Sequence, residues 1–168
     1  MSAISNTTVI SNFAAIGELD LLKCLFGSLY ISLDVYEEIQ NGREEGYLFY
    51  DALDQIIFPY AERGWIILTS LQAEEEFRLY RQFPSRLHQG EASSLPIACY
   101  RGWLFLSDDF DARTAAKRLN IRLSGSVGCL VLLAERDICS LNAANHLLRR
   151  MIEQGYRSPI LDLTELIS

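Results

Sequence analysis

Acidic side chains stand at three places in this chain where an apolar run gives way to polar residues. Glu38 lies in a helical pattern after one such run, and Glu91 opens a second helical pattern. Asp108 and Asp109 directly follow a third run, which has the composition of a strand. In an open parallel sheet, the carboxyl ends of the strands and the helices that follow them line one crevice. Acids gathered there would form an oxygen-rich pocket of the kind that holds Mg²⁺ or Mn²⁺.

The first predicted strand, residues 2–5, ends in Asn6, where such a pocket would be expected to have an aspartate. An amide oxygen can still bind a metal, but it brings no negative charge, so the affinity for the ion should fall. The candidate metal ligands are therefore Asn6, Glu38, Glu91, Asp108 and Asp109. Two divalent ions roughly 4 Å apart could activate a water and stabilise the leaving oxygen of a phosphodiester.

Two further side chains near these acids could take part in the chemistry. Thr8 could orient a metal-bound water or a phosphate, or it could simply belong to the start of a helix. Arg113 follows Asp109 by one helical turn and could contact a phosphate or form a structural ion pair with Asp109. Both alternatives stay open at this stage.

Each acid also has an ordinary structural interpretation. Asp108 could cap the helix that follows it, because aspartate is a favoured N-cap residue. Glu91 could be a common first-turn acid, and Glu38 a solvated helix residue. The functional interpretation depends on their combination along one chain, since no acid is specific by itself.

Strand-like and helix-like segments alternate along the chain, which indicates an α/β fold with a parallel sheet covered on both faces. We expect a single domain over residues 1–168, built as a three-layer α/β/α sandwich with a central, mostly parallel sheet of about four to five strands. The predicted strands are residues 2–5, 29–32, 65–69, 103–107 and 121–123. The predicted helices are residues 9–24, 34–41, 89–101, 110–119, 127–137 and 141–155, and a tail follows at 156–168. One more helix is predicted after the third strand, with acids early (Glu74, Glu75 and Glu76) and arginines late (Arg78 and Arg81).

Pro96 lies inside the helix that Glu91 opens. Proline removes one backbone donor, so it should either kink this helix or delay its start. If the helix instead began near Ser94, Glu91 would lie on a loop.

Residues 43–60 look like an apolar helical insertion, with more aromatic and aliphatic side chains than one small helix usually buries. The segment either covers an edge of the sheet or forms a surface for a homodimer or a partner.

The composition narrows the class of protein. The net charge is −7, which argues against strong unaided binding to nucleic acid, although 13 of the 15 basic residues are arginine, the residue suited to bidentate phosphate contacts. The four cysteines form no C-x-x-C pair and are expected to be reduced core residues rather than zinc ligands. No apolar run reaches the roughly 18 residues of a membrane span, and no signal peptide is recognisable, so a cytoplasmic location is expected.

Other α/β classes lack their motifs in this chain. There is no G-x-G-x-x-G after the first strand and no G-x-x-x-x-G-K-[ST], which disfavours a nucleotide-binding domain. With two histidines and no G-x-S-x-G, a Ser/His/Asp triad has little support.

The order of elements and acids resembles the PIN domain, and in particular the branch related to VapC-type toxins of prokaryotic toxin–antitoxin pairs. The resemblance covers about residues 1–155, except the insertion, and no single motif carries it. The matching stretches are residues 4–13, 16–22, 30–32, 35–39, 87–92, 106–109 and 121–128.

This resemblance implies a three-layer fold and a Mg²⁺- or Mn²⁺-dependent endoribonuclease whose site is blocked by a small antitoxin protein. Carried over by position, the catalytic acids are Glu38, Glu91 and Asp109, with Asp108 as an auxiliary acid. Thr8 matches the hydroxyl residue near the first acid, and Asn6 takes the place of that acid. Two functions follow: an RNA-cleaving enzyme, or a degenerate module that binds RNA or a protein without cleavage.

Overall fold

A six-stranded sheet in which every pairing is parallel forms the centre of the protein, in the order β3-β4-β2-β1-β5-β6. The computed structural model describes residues 1–51, 53–85, 87 and 89–167, with the backbone alone at residue 49. The strands are β1 (Ala3–Ser5), β2 (Leu29–Ser32), β3 (Ile57–Phe58), β4 (Ile66–Thr69), β5 (Leu104–Leu106) and β6 (Leu123–Ser124). The α/β class is as predicted, although the sheet has one strand more than expected.

Helices cover both faces of this sheet, as the three-layer prediction requires. They are α1 (Thr7–Ala15), α2 (Asp20–Phe26), α3 (Leu33–Glu44), α4 (Glu74–Gln82), α5 (Gln89–Arg101), α6 (Phe110–Arg118), α7 (Ser126–Glu135) and α8 (Leu141–Glu153). No helix in the described part of the chain is long and apolar enough to cross a membrane.

Alternation along the strands divides the core into two clusters, one on each face. Leu104 and Leu106 of β5 pack with residues of α1, α2, α7 and α8, whereas Phe105 packs with residues of α5 and α6. Successive strand side chains point to opposite faces, so a short strand can serve both clusters. All three of these β5 side chains are buried.

The single helix predicted over residues 9–24 is two helices, which corrects the sequence interpretation. The first ends at Ala15, and the second begins at Asp20. Gly17 lies between them with a φ of +71°, a left-handed conformation that glycine adopts at no steric cost. The expected weak point in the helix is therefore a complete break.

The prediction of a helical insertion at residues 43–60 is wrong in its type of structure. Helix α3 extends to Glu44, and two short 3₁₀ turns follow at Leu48–Tyr50 and Leu53–Gln55. The segment then forms β3, which pairs with β4 and is the additional strand of the sheet. The insertion thus covers the edge of the sheet at β4, which is one of the two alternatives predicted from the sequence.

Helix α5 begins at Gln89 and contains Pro96, so Glu91 is a first-turn residue rather than a loop residue. The delayed start near Ser94 is therefore wrong. The C-terminal tail docks on α8, where the backbone amide of Leu163 donates to Asn145 Oδ1 at 2.8 Å. Leu163 itself is fully buried.

The strand order has a reversal point that places the site. Strand β1 lies between β2 and β5, and the chain moves to one side of β1 through β2 and β4, then to the other through β5 and β6. In open parallel sheets, ligand crevices lie outside the carboxyl ends of the strands at this point. The residues that follow β1 and β5 are therefore in the position where a site is expected.

Candidate functional site

Asn6 follows β1 and is the N-cap of α1, with 1% of its surface exposed. Its Oδ1 accepts hydrogen bonds from the Thr8 backbone amide at 3.1 Å and from Thr8 Oγ1 at 2.6 Å. Only the oxygen of an amide can accept, so the cap decides which way the amide faces. Thr8 thus belongs to the helix start, and its hydroxyl also accepts from the Asp108 amide at 2.9 Å.

The amide nitrogen of Asn6 consequently faces the acids. It donates to Glu91 Oε1 at 3.1 Å and to Ser107 Oγ at 2.6 Å. Glu91 is 5% exposed in the first turn of α5. An aspartate at position 6 could keep the cap with one oxygen and would present its second oxygen, an acceptor, to Glu91. Asn6 presents a donor instead.

Glu38 connects α3 to the beginnings of two other helices. Its Oε1 accepts from the Gly90 backbone amide at 3.0 Å, and its Oε2 accepts from Thr7 Oγ1. A Cβ at position 90 would lie 2.7 Å from Glu38 Oε1, so the close approach requires glycine. Glu38 is therefore held against the residue that precedes Glu91, rather than being a freely solvated helix residue.

Asp109, not Asp108, is the N-cap of α6. Its Oδ2 accepts from the Ala112 amide at 2.9 Å, and its own amide donates to Ser107 Oγ at 3.1 Å. A continuous set of hydrogen bonds thus runs from Glu91 through Asn6 and Ser107 to Asp109. Ser107 was not among the site residues predicted from the sequence, although its position between β5 and the acid pair was the available signal.

Asp108 anchors α7 instead of capping the helix that follows it. Its oxygens accept from the Ser126 amide at 2.8 Å, Ser126 Oγ at 2.5 Å, Asn12 Nδ2 at 2.9 Å and the Tyr156 hydroxyl at 3.4 Å. Burial raises the pKa of the Tyr156 hydroxyl, and the nearby Asp108 charge raises it further. With four donors on one carboxylate, Asp108 has a clear structural function, which is to hold α7. The prediction that Asp108 could cap α6 is wrong, because Asp109 is that cap.

Arg113 does not form the ion pair that one alternative expected. Its Nη1 donates to the backbone oxygen of Ser107 at 2.9 Å, and among the described residues it makes no ion pair with Asp109. Because the carbonyl is neutral, this hydrogen bond does not compensate the positive charge of Arg113, and no described carboxylate lies within ion-pair distance of it.

The donors suit a hard divalent cation in type, because carboxylate oxygens are the ligands that Mg²⁺ and Mn²⁺ prefer. The arrangement is not a preformed cage. Within the described ranges, no three acidic, histidine or cysteine side chains are grouped so that they could hold a metal ion. The amide orientation of Asn6 also turns its nitrogen, not its oxygen, toward Glu91. The predicted ligand role of Asn6 would require the amide to turn and give up the cap.

Two open clefts flank this hydrogen-bonded centre. One has a volume of about 560 Å³ and is lined by Glu38, Glu45, Tyr47 and Tyr50 among others. Burial raises the pKa of Tyr50, whose hydroxyl lies 2.5 Å from Ser11 Oγ. The second cleft, on the side of Asp108, has a volume of about 470 Å³.

Comparison with known families assigns the chain by a match to a family model. A family model described as PIN domain matches residues 2–167, almost the whole chain. A search of curated proteins gave no match. The family resemblance seen in the sequence is thereby confirmed, whereas the relationship to VapC-type toxins stays a prediction.

Proposed function

Since this chain belongs to the PIN domain family, we propose that it is an endoribonuclease that depends on Mg²⁺ or Mn²⁺ and acts as the toxin of a prokaryotic toxin–antitoxin pair. The observation that supports this most is the hydrogen-bonded set Glu91–Asn6–Ser107–Asp109 at the reversal point of the sheet. It joins the carboxylate of Glu91 to the backbone amide of Asp109, two candidate catalytic residues that are 18 positions apart in sequence.

The electrostatics of the crevice also support a cation. Glu38, Asp108 and Asp109 take their hydrogen bonds from neutral donors, and none of them forms an ion pair with any described residue. A negatively charged crevice repels the phosphates of RNA unless a cation is present. Glu91 and Asp109, with Glu38 as a further carboxylate, would hold it, and the bound ion would activate water and stabilise the leaving oxygen.

The residues of the chain itself position these groups. Ser107 accepts from Asn6 and from the Asp109 amide, so it sets the spacing of the two walls of the crevice. Asn6 holds Glu91 in place, and Gly90 with Thr7 holds Glu38. Because Asn6 contributes no charge, we expect weak cation affinity and slow cleavage.

The test is cleavage of a mixed RNA pool with Mn²⁺ by the parent protein, by Asp109→Asn and by Asp111→Asn. Asparagine can still cap α6, so Asp109→Asn removes a charge with little effect on the fold. Asp111 is exposed in the same helix and gives a matched control. We expect cleavage to be lost with Asp109→Asn and kept with Asp111→Asn. Equal cleavage by all three proteins would refute the proposed site.

A second candidate function is a module that binds RNA or a protein without cleaving RNA. The hydrogen bond from Asn6 Nδ2 to Glu91 Oε1 favours it, because the amide satisfies a buried carboxylate oxygen without a cation. The distinguishing variant is Asn6→Asp. Strong Mn²⁺-dependent cleavage by this variant, with none by the parent, would support the second candidate.

We propose two protein partners. A small antitoxin protein would cover the crevice and block the acids, and its addition should abolish cleavage at equimolar concentration. A homodimer through residues 47–60 is supported by exposed apolar side chains, since Leu48 is 77% and Phe58 is 44% exposed. Light scattering of a Leu48→Ser, Phe58→Ser double variant should give half the parent mass, and an unchanged mass would contradict the dimer.

A further inference from the structure

The cleft of about 470 Å³ beside Asp108 has a chemistry that the proposed cleavage does not use. It lies between the beginning of α6, the beginning of α7 and the segment that follows α8. Two arginines, Arg113 and Arg157, line it together with Phe110 and Tyr156. Basic and aromatic side chains in one open cleft are the combination that binds single-stranded nucleic acid.

The charge of this cleft is positive although the chain is acidic overall. Two arginines, Arg113 and Arg157, line it against one carboxylate, that of Asp108, whose hydrogen-bond donors are all neutral. Within the described part of the chain, the Arg113 side chain donates to one backbone carbonyl, that of Ser107, and Arg157 is exposed. Neither arginine forms an ion pair with any residue that the structure describes. Both guanidinium groups can therefore accept an anion without first losing a carboxylate partner.

Phe110 provides an aromatic face at the mouth of the same cleft. It is 79% exposed, the largest exposed fraction among the large apolar side chains described. It directly follows Asp109, and it precedes Arg113 by three positions in α6, so the two side chains lie on the same side of the helix. An aromatic ring in this position can stack on a base while the arginine contacts the adjoining phosphate.

Glycine keeps the floor of the cleft open. A Cβ at Gly125 would lie 2.5 Å from Asp108 Oδ1 and 3.0 Å from Arg113 Nη1. Any larger residue at this position would displace the anchor of α7 or the arginine. The absence of a side chain at Gly125 thus preserves both the space and the position of the Arg113 guanidinium.

We propose that this cleft is a nucleotide subsite for single-stranded RNA, with a phosphate bound by Arg113 and Arg157 and the adjoining base stacked on Phe110. The inference rests on the proposed function, because the subsite places the nucleotide next to Asp109. It adds the residues that select a single strand: stacking on Phe110 requires an unpaired base, and a base pair within a duplex does not expose its face.

The experiment measures binding without cleavage. Fluorescence anisotropy of a labelled oligouridylate is recorded in EDTA for the parent, Phe110→Ser and Arg157→Gln. Phe77→Ser and Arg118→Gln are matched controls, because both residues are exposed and lie outside the cleft. Loss of one stacked base should weaken binding roughly tenfold. Arg157→Gln should reduce the slope of log K against log salt by about 0.7, the value for one phosphate contact to a single strand.

Four outcomes would overturn the subsite. The first is unchanged affinity in both cleft variants. The second is an equal loss in the matched controls, and the third is equally tight binding of a duplex of the same length. If a polyglutamate peptide displaces the RNA only when Phe110 and Arg157 are present and binds more tightly than the RNA, the cleft is a protein surface and the RNA assignment is wrong. Since binding is read in EDTA, the subsite can hold even where cleavage fails, and cleavage can survive where the subsite fails.

Discussion

Two polar clusters beside the sheet, one around the buried Glu76 and one around the half-buried Glu38 and Asp109, treat carboxylates in different ways. In the first, Glu76 is 2% exposed and is bound by Arg101, whose Nε donates to Oε1 at 2.8 Å and whose Nη2 donates to Oε2 at 3.1 Å. Arg101 also donates to Thr69 Oγ1 and the Ser70 carbonyl, and it lies over the Trp103 ring at 5.2 Å. We call the Glu76–Arg101 pair with these contacts the clamp.

The crevice cluster differs in having no fixed cation. Glu38 and Asp109 take hydrogen bonds from hydroxyl and backbone donors, all neutral, and form no ion pair with a described residue. The clamp neutralises the Glu76 carboxylate with an arginine of the same chain, so no cation from solution is needed. The crevice leaves negative charge uncompensated, which is costly for stability and useful for binding a cation. This difference separates a structural acid from a candidate functional one.

The largest effect should come from breaking the clamp with Arg101→Met. The variant leaves Glu76 buried without its cation, and removing one partner of a buried pair costs about 3–5 kcal/mol. Urea unfolding of the variant checks this against Arg78→Met. The Arg78–Glu74 pair is exposed, with side-chain exposures of 63% and 79%, so its loss should cost at most about 0.5 kcal/mol. Equal destabilisation by the two variants would show that the buried Glu76–Arg101 pair matters no more for stability than the exposed Arg78–Glu74 pair.

A smaller effect is expected from Asn6→Asp, which tests whether the crevice, unlike the clamp, depends on a cation from solution. The change replaces the donor that faces Glu91 by a second carboxylate oxygen, and losing a hydrogen bond to a charged group costs about 1.5–3 kcal/mol, which should be seen in EDTA. Mn²⁺ should recover this stability in the variant and have little effect on the parent, because ligands stabilise the state that binds them. Thermal unfolding with EDTA and with Mn²⁺ measures both. The control is Asn142→Asp, which adds the same charge at an exposed position. A Mn²⁺ response equal to that of this control would show that residue 6 does not govern cation binding.

The smallest predicted effect is the pH dependence that the clamp confers. Burial alone would raise the pKa of Glu76, but hydrogen bonds from Arg101 and the Gln72 amide outweigh burial and hold this pKa below its ordinary value of 4.5. A carboxyl whose pKa is lower in the folded state stabilises the protein above the unfolded pKa, and the contribution is lost as pH falls through the folded value. Between pH 5 and pH 3, urea unfolding should therefore lose stability more steeply in the parent than in Glu76→Gln. Parallel curves would contradict the lowered pKa.

Local sequence patterns were sufficient for the class of fold and for the edge of the sheet that carries the acids. Alternating apolar segments predicted a parallel α/β sheet, and acids directly after strand-like runs predicted a crevice at the strand ends. The position of Asn6 at the end of β1 was also readable, because a polar residue there must face the crevice. These predictions rest on periodicity and on residues within a few positions of one another.

Tertiary structure alone decided which distant partners the polar groups take beyond their own helix caps. Asp108 anchors α7, which begins 18 residues later, and Arg101 reaches Glu76 across 25 residues. Strand β3 forms because Ile57 and Phe58 lie along β4. This pairing could not be predicted from a sequence pattern of only two residues. The amide nitrogen of Asn6 faces Glu91 because the cap of α1 uses the amide oxygen. The sequence shows that residue 6 is asparagine, but the effect of this residue on the crevice depends on a hydrogen bond to a distant residue. Hydrogen bonds select partners by distance and direction, and those are set by packing of elements far apart in the chain.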